Sequence, residues 1–226
     1  MNIAICLSGS LRNVKKALRS IDFISQTGNT KLFIHTWKFE EEHNLLNQRV
    51  LPDSNSNIEF ILNNFKIESI LIDKYESKLN LYEEIKKTYS INLIQFPTLF
   101  RYYPMHYSIK EANKLKIKHE KENNFIFDIV YRMRFDSEIL NPEKLPTIKT
   151  NDDVIIIPKN NDYTGINDQF AYGSSTAMDA YSNLFDNLNK LNGNYWNPEQ
   201  LLLKHLQNQK IEIQRSDLDV DIYKAI

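Results

Sequence analysis

Short, uninterrupted apolar runs, set between stretches with helical spacing, constrain this chain more than any other feature. Ile3–Leu7 is wholly apolar, as expected of a strand buried on both faces in a sheet covered by helices. Ser8-Gly9-Ser10 then makes a tight turn, and from Arg12 onward Val14, Ala17, Leu18, Ile21 and Ile24 recur on one helical face. Lys31–Trp37 and Ile67–Asp73 read as the second and third strands, with a short helix over Asn57–Phe65 between them. The polar stretch from Lys38 to Ser56 reads as a flap. Leu81–Tyr89 and a long segment from Pro97 to Glu122 read as helices. Asp153–Pro158 and Asn167–Gly173 read as further strands, Ser174 or Ser175 as a helix cap, Pro198-Glu199 as a helix start and Ile211–Arg215 as an edge strand. Alternation of this kind predicts an α/β chain with a mostly parallel central sheet flanked by helices.

Composition narrows the function classes. A length of 226 residues suits a single domain. A net charge of −1 argues against a nucleic-acid binder, which would carry a basic excess or stripe. With Cys6 as its one cysteine the chain forms no internal disulfide, which fits a reducing, cytoplasmic setting. No apolar run reaches the ~18 residues of a membrane span, and the N-terminus lacks the basic flank of a signal peptide.

Chemistry concentrates in the segment after Phe127-Asp128-Ile129-Val130. Tyr131-Arg132-Met133-Arg134-Phe135-Asp136-Ser137-Glu138, read as one strand, sets Val130, Arg132, Arg134, Asp136 and Glu138 on a single face. Four charges then crowd toward its carboxyl end, where open α/β sheets bind ligands. One reading is structural: an Arg134–Asp136 or Arg132–Asp128 pair bracing the sheet. The other is an anion site, with Arg132 and Arg134 on phosphate oxygens and Asp136 and Glu138 on a divalent cation, Mn²⁺ or Mg²⁺. Ser8, Gly9 and Arg12 form a strand–turn–helix cradle suited to phosphate, although a glycine there also serves the turn alone. His35, at the polar end of the second strand, is either a ligand contact or a satisfied core histidine.

The order of Ile-Ala-Ile-Cys-Leu-Ser-Gly-Ser-Leu-Arg, Leu-Phe-Ile-His-Thr-Trp, Ile-Val-Tyr-Arg-Met-Arg-Phe-Asp and Asn-Asp-Gln-Phe-Ala-Tyr-Gly resembles small bacterial and viral glycosyltransferases of the GT-A fold. The resemblance implies a Rossmann-like, GT-A-like sheet and a nucleoside-diphosphate sugar as donor. It implies a glycan acceptor in surface polysaccharide or glycoprotein synthesis, and a divalent metal on an Asp-x-Asp motif. Residues 1–140 would be the nucleotide-sugar-binding half and 141–226 the acceptor-side half, with peripheral association to a membrane-bound glycan assembly system. Gly9 and Arg12 match the first-strand loop; Arg134, Asp136 and Glu138 match the region of the metal motif. Here that motif reads Asp136-Ser137-Glu138. An acid is then needed to take the proton of the acceptor hydroxyl, and Asp168 and Glu199 are the candidates. Each has a plain alternative, as a turn cap and as an acid favoured by a helix N-terminus. Tyr195 and Trp196 suit stacking on an acceptor sugar, and His205 suits a diphosphate contact or the core. Asp217-Leu218-Asp219-Val220-Asp221 has Asp-x-Asp spacing but reads as a solvated tail. The alternatives in function are transfer of a phosphate-linked group, and a non-catalytic sugar-nucleotide-binding partner.

Overall fold

The structure is a computed structural model that describes residues 1–39, 54–88, 91–93, 102–147, 151 and 153–222. Its elements run β1 (Asn2–Gly9), α1 (Val14–Ser25), β2 (Asn29–Lys38), α2 (Ser54–Asn64), β3 (Ser69–Lys74), α3 (Leu79–Thr88), β4 (Ile91–Leu93), α4 (Tyr102–Asn123), β5 (Ile129–Met133) and β6 (Ser137–Ile139). They continue with β7 (Val154–Pro158), β8 (Phe170–Gly173), α5 (Ser175–Ser182), β9 (Gly193–Tyr195), α6 (Pro198–Asn208), β10 (Glu212–Ser216) and β11 (Val220–Ile222). Among the described residues, seven strands form one sheet in the order β10-β7-β8-β5-β1-β2-β3. β3, β2, β1 and β5 are mutually parallel, β10 is parallel to β7, and β8 runs antiparallel between β5 and β7. The mostly parallel α/β sheet expected from the apolar runs is the observed architecture.

Alternation of side chains along each strand feeds two apolar layers. Ile3, Ile5 and Leu7 face α1 with Ile129, Tyr131 and Met133, whereas Ala4 and Cys6 face the α4–α5–α6 side with Val130, Ile155 and Ala171. Arg132, two residues after Val130, therefore projects toward the helices α4 and α5 from within the sheet. Its strand neighbours in register are Cys6 on β1 and Ala171 on β8. Small side chains on both sides leave room for a guanidinium. Among the described residues, no helix is long and apolar enough to cross a membrane.

A buried ion network fastens α4 to α5. The Lys116 ammonium is fully buried; it donates to Ser175 Oγ at 2.5 Å and to Asp179 Oδ1 at 2.7 Å, and lies 3.0 Å from Glu120 Oε2. Glu120 Oε1 in turn accepts from the Phe127 amide at 3.0 Å and from Ser175 Oγ at 2.7 Å, so the network reaches the segment that leads into β5.

Three sequence expectations change. The charged strand does not continue to Glu138: β5 stops at Met133, and a turn closed by Ser137 N to Arg134 O and Arg134 N to Ser137 Oγ, both 3.3 Å, precedes β6. The acidic C-terminal stretch is not a solvated tail, because β11 pairs antiparallel with β6 and Leu218 and Val220 are buried. Gly193–Tyr195, within the stretch Gly193–Asn197 that reads from its sequence as a loop, pairs parallel with β4. The central part of the expected flap, the helix start at Pro97 and Asp152 lie outside the described residues.

Candidate active site

Strand register assembles the site. In the antiparallel pair of β5 and β8, Met133 faces Phe170. The residues just after Met133 and just before Phe170 therefore share one end of the sheet: Arg134 and Asp136 from one side, Asp168 from the other. This is also the carboxyl end of β1, β2 and β5, the side on which ligands bind in α/β sheets.

Asp168 is held by an over-determined loop. Asn161, Tyr163 and Thr164 all have left-handed backbone angles (φ 63°, 43° and 74°), strained conformations that persist only when surrounding bonds fix them. Those bonds are present. Asp162 Oδ1 accepts from the Asn167 amide at 3.0 Å and pairs with Arg215 at 2.5 Å, and Asn167 Oδ1 accepts from the Gln169 amide at 2.8 Å. The segment Asn161–Ile166, which reads from its sequence as a flexible loop, is thus a laced turn. It also touches α6: a Cβ on Gly165 would lie 2.1 Å from the Glu199 carbonyl carbon, so only glycine fits there. Asn197 caps α6 through the Gln200 amide at 3.0 Å and donates to the Tyr163 carbonyl, and Pro198 occupies the first turn. Glu199 follows, half-buried, with Oε2 enclosed and without a hydrogen-bond partner.

The two carboxyls titrate as a linked pair. Burial raises Asp168 above the usual carboxylate range, and Arg132 and Arg134 hold it back. Burial, and then the Asp168 carboxylate, push Glu199 up to about 8. At neutral pH Glu199 therefore keeps its proton. A carboxyl with a raised folded pKa retains its proton after the unfolded chain has released it near 4.5. Its contribution to stability is complete below that value and is lost as pH rises through about 8. Glu199→Gln is expected to flatten this decline and to gain roughly 1–2 kcal/mol at pH 8, a figure reduced for the partial exposure of the carboxyl. Urea melts of both proteins at pH 5 and pH 8 measure the effect; parallel pH dependences would rule it out.

Opposite the acids stand two guanidiniums in different states. Arg134 is bound bidentately by Asp136, Nε to Oδ1 at 2.8 Å and Nη2 to Oδ2 at 2.7 Å. Arg132 is 2% exposed, and its Nε and Nη1 have no hydrogen-bond partner. Burial depresses its pKa, opposed by the hydroxyl of Tyr181 and the carboxylates of Asp168 and Asp136. Other buried polar atoms without partners lie within electrostatic reach of the same groups: His106 Nε2 on α4 and Tyr181 OH on α5 near Arg132, and Tyr102 OH on α4 near Asp168 and Glu199. Burial, then Arg132 and then His205, keep the His106 imidazole neutral well into the acid range. Unpaired buried polar atoms are uncommon in a native core, and each calls for an explanation.

The remaining expected residues lie elsewhere or in other roles. Glu138 leaves Asp136 and binds α1, at 2.6 Å from Lys16 and 2.9 Å from Arg19. Asp128 accepts from the Asn2 amide and does not brace Arg132. Among the described residues, no three of His, Cys, Asp and Glu converge as a metal cluster. Gly9 takes the left-handed backbone (φ 113°) that the turn requires, but its amide donates to Ser108 Oγ at 2.8 Å, which removes one donor from the phosphate cradle. Ser8 Oγ is buried without a partner, and Arg12 is half-buried after the turn. His35 is fully buried, 2.7 Å from Ser108 Oγ and 3.5 Å from Asp73 Oδ2; burial lowers its pKa to about 4 despite Asp73. It is a satisfied core histidine. So is His205, which donates to the Ala180 carbonyl at 2.8 Å. Tyr195 is half-buried and Trp196 is 48% exposed beside the start of α6. Sequence reasoning missed Tyr181, because an aromatic at helical spacing among Met178 and Leu184 carries no mark of its hydroxyl's surroundings.

Solved structures similar to this chain include the following two. Mouse xyloside xylosyltransferase 1 in its apo form matches with 8% identity and a TM-score of 0.48, over 95% of this chain and 85% of its own. The galactosyltransferase LgtC, in complex with donor and acceptor sugar analogs, matches with 10% identity and a TM-score of 0.39, over 95% of this chain and 73% of its own. No curated protein matches the sequence. A family profile matches residues 1–223, nearly the whole chain, and by that match the protein belongs to the family described as Domain of unknown function (DUF7796).

Proposed function

We propose that this protein transfers a sugar from a nucleoside-diphosphate donor to a hydroxyl group of a glycan. The observation that carries the reading is the meeting of two buried acids under each other's electrostatic influence, Asp168 and Glu199, with two guanidiniums, Arg132 and Arg134, at the carboxyl end of the parallel strands. Glycosyl transfer needs both parts. A diphosphate leaving group gains negative charge as its bond to the sugar breaks, and guanidinium N–H groups stabilise that charge. The acceptor hydroxyl must lose a proton as it attacks, and a carboxylate beside it takes that proton. Asp168, adjacent to the guanidiniums, is the base; Glu199 stays protonated beside it. Trp196 offers an exposed ring for the face of the acceptor sugar. The motifs that resemble GT-A glycosyltransferases support the same reading, and surface polysaccharide or glycoprotein glycans are the acceptor class they suggest.

A thermal-shift series with UDP, GDP, CMP and dTDP tests it. The matching nucleotide at about 100 times its Kd is expected to stabilise the fold by about 2.7 kcal/mol, roughly 5–10 °C for a chain of this size. The corresponding nucleotide sugar is expected to release free sugar slowly to water, which a binding partner without catalysis would not do. No response to any nucleotide would refute the proposal.

A further inference from the structure

Resting on that reading, we propose that the donor diphosphate is neutralised by Arg132 and Arg134 alone, and that no divalent cation takes part in holding it. The residues at the position of the expected metal motif do not suit a cation. Both oxygens of Asp136 are taken by the Arg134 fork, at 2.8 and 2.7 Å. Each oxygen keeps a second lone pair, but a cation placed on it would lie against the Arg134 guanidinium and be repelled by it. Glu138 is turned toward α1 and held by Lys16 and Arg19, at 2.6 and 2.9 Å. The other two acids of the site, Asp168 and Glu199, face the electrostatic influence of Arg132 and Arg134 or of each other. A cation placed beside them would meet two positive charges already in position.

Arg132 supplies what the cation would. It is 2% exposed, and its Nε and Nη1 are enclosed without a partner. Burying a guanidinium without a bonded counter-charge is unfavourable by several kcal/mol, and an anion that accepts from those two N–H groups relieves the penalty. Asp136 fixes the fork of Arg134, so the second guanidinium is oriented before the ligand arrives. In the transfer, the bond from the anomeric carbon to the diphosphate oxygen breaks, and its electron pair stays on that oxygen, where Arg132 and Arg134 donate. The new bond joins the anomeric carbon to the acceptor oxygen, whose proton passes to Asp168. Charge and atoms balance without a metal.

The test compares nucleoside diphosphate binding to the full chain in EDTA and in Mn²⁺, read by thermal shift and by calorimetry. UDP, GDP, ADP and dTDP are the probes. Equal affinity in the two buffers is expected for the diphosphate that binds. Arg132→Met, which keeps the aliphatic bulk, is expected to weaken that binding tenfold or more, and Arg132→Lys, which keeps charge without the fork, to restore only part of it. Binding that requires Mn²⁺ would overturn the inference while leaving the glycosyltransferase reading standing. Binding in EDTA that Arg132→Met leaves unchanged would also overturn it. A failure of every probe in both buffers would instead remove the reading on which it rests. If Arg132→Met does not fold, the comparison of EDTA with Mn²⁺ on the wild-type chain decides alone.

Discussion

Asp168→Asn is expected to lower sugar release from the donor by roughly 10²–10⁴-fold, the range by which a positioned acid–base group accelerates proton transfer. The amide has nearly the same shape as the carboxyl, so the laced loop around it has no steric reason to move. It cannot accept a proton from a hydroxyl. Stability is expected to stay level or rise slightly, because Asp168 is only 5% exposed and burial disfavours its ionised form. Loss of turnover with an intact melt separates a chemical role from a structural one. Turnover within a few-fold of wild type would place the base elsewhere. Diphosphate affinity is expected to increase, since removing a carboxylate leaves Arg132 and Arg134 less neutralised.

The second large effect concerns the frame. Lys116→Met is expected to cost about 3–5 kcal/mol, the usual penalty for removing one partner of a buried ion pair, and to lower Tm by roughly 6–20 °C. Glu120, 7% exposed, would be left charged beside α5 with no cation within reach of its Oε2. Asp179, more exposed, would keep its bond from Asn113 Nδ2 at 2.7 Å and suffer less. Combining Lys116→Met with Glu120→Gln is expected to recover much of the loss, because glutamine's carbonyl still accepts from the Phe127 amide and Ser175. A double variant no more stable than the single one, by denaturant melts, would show that packing of the lysine stem rather than its charge sets the effect.

The strands were legible because burial on both faces writes itself as apolar runs: Ile3–Leu7, Leu32–Ile34 and Val154–Ile157 all lie inside observed strands. Asp168, Glu199, Arg132 and Arg134 were legible as chemistry, since charges at the ends of buried elements are unfavourable without a purpose. The fate of Glu138 was not. Its alternation with Asp136 suggested a shared face, but the turn between Arg134 and Ser137 redirects it to Lys16 and Arg19, more than a hundred residues earlier in the chain. The Asp217–Asp221 stretch differs for a related reason: the buried Val220 pairs with a strand of only three residues, too short for its own periodicity to announce it. Local pattern records which residues are buried and leaves open which distant residue covers them.

The contact of Gly165 with the backbone of Glu199, together with the bond from Asn197 to Tyr163, makes the loop bearing Asp168 and the start of α6 a single rigid piece. The guanidiniums sit at the end of β5, which is hydrogen-bonded to β8 with Met133 facing Phe170, and Asp168 lies just before β8. Acids and guanidiniums are therefore tied to one sheet end and move as one block. The spacing between the positive and negative groups is set by the fold before any ligand arrives, so binding need not reorganise it.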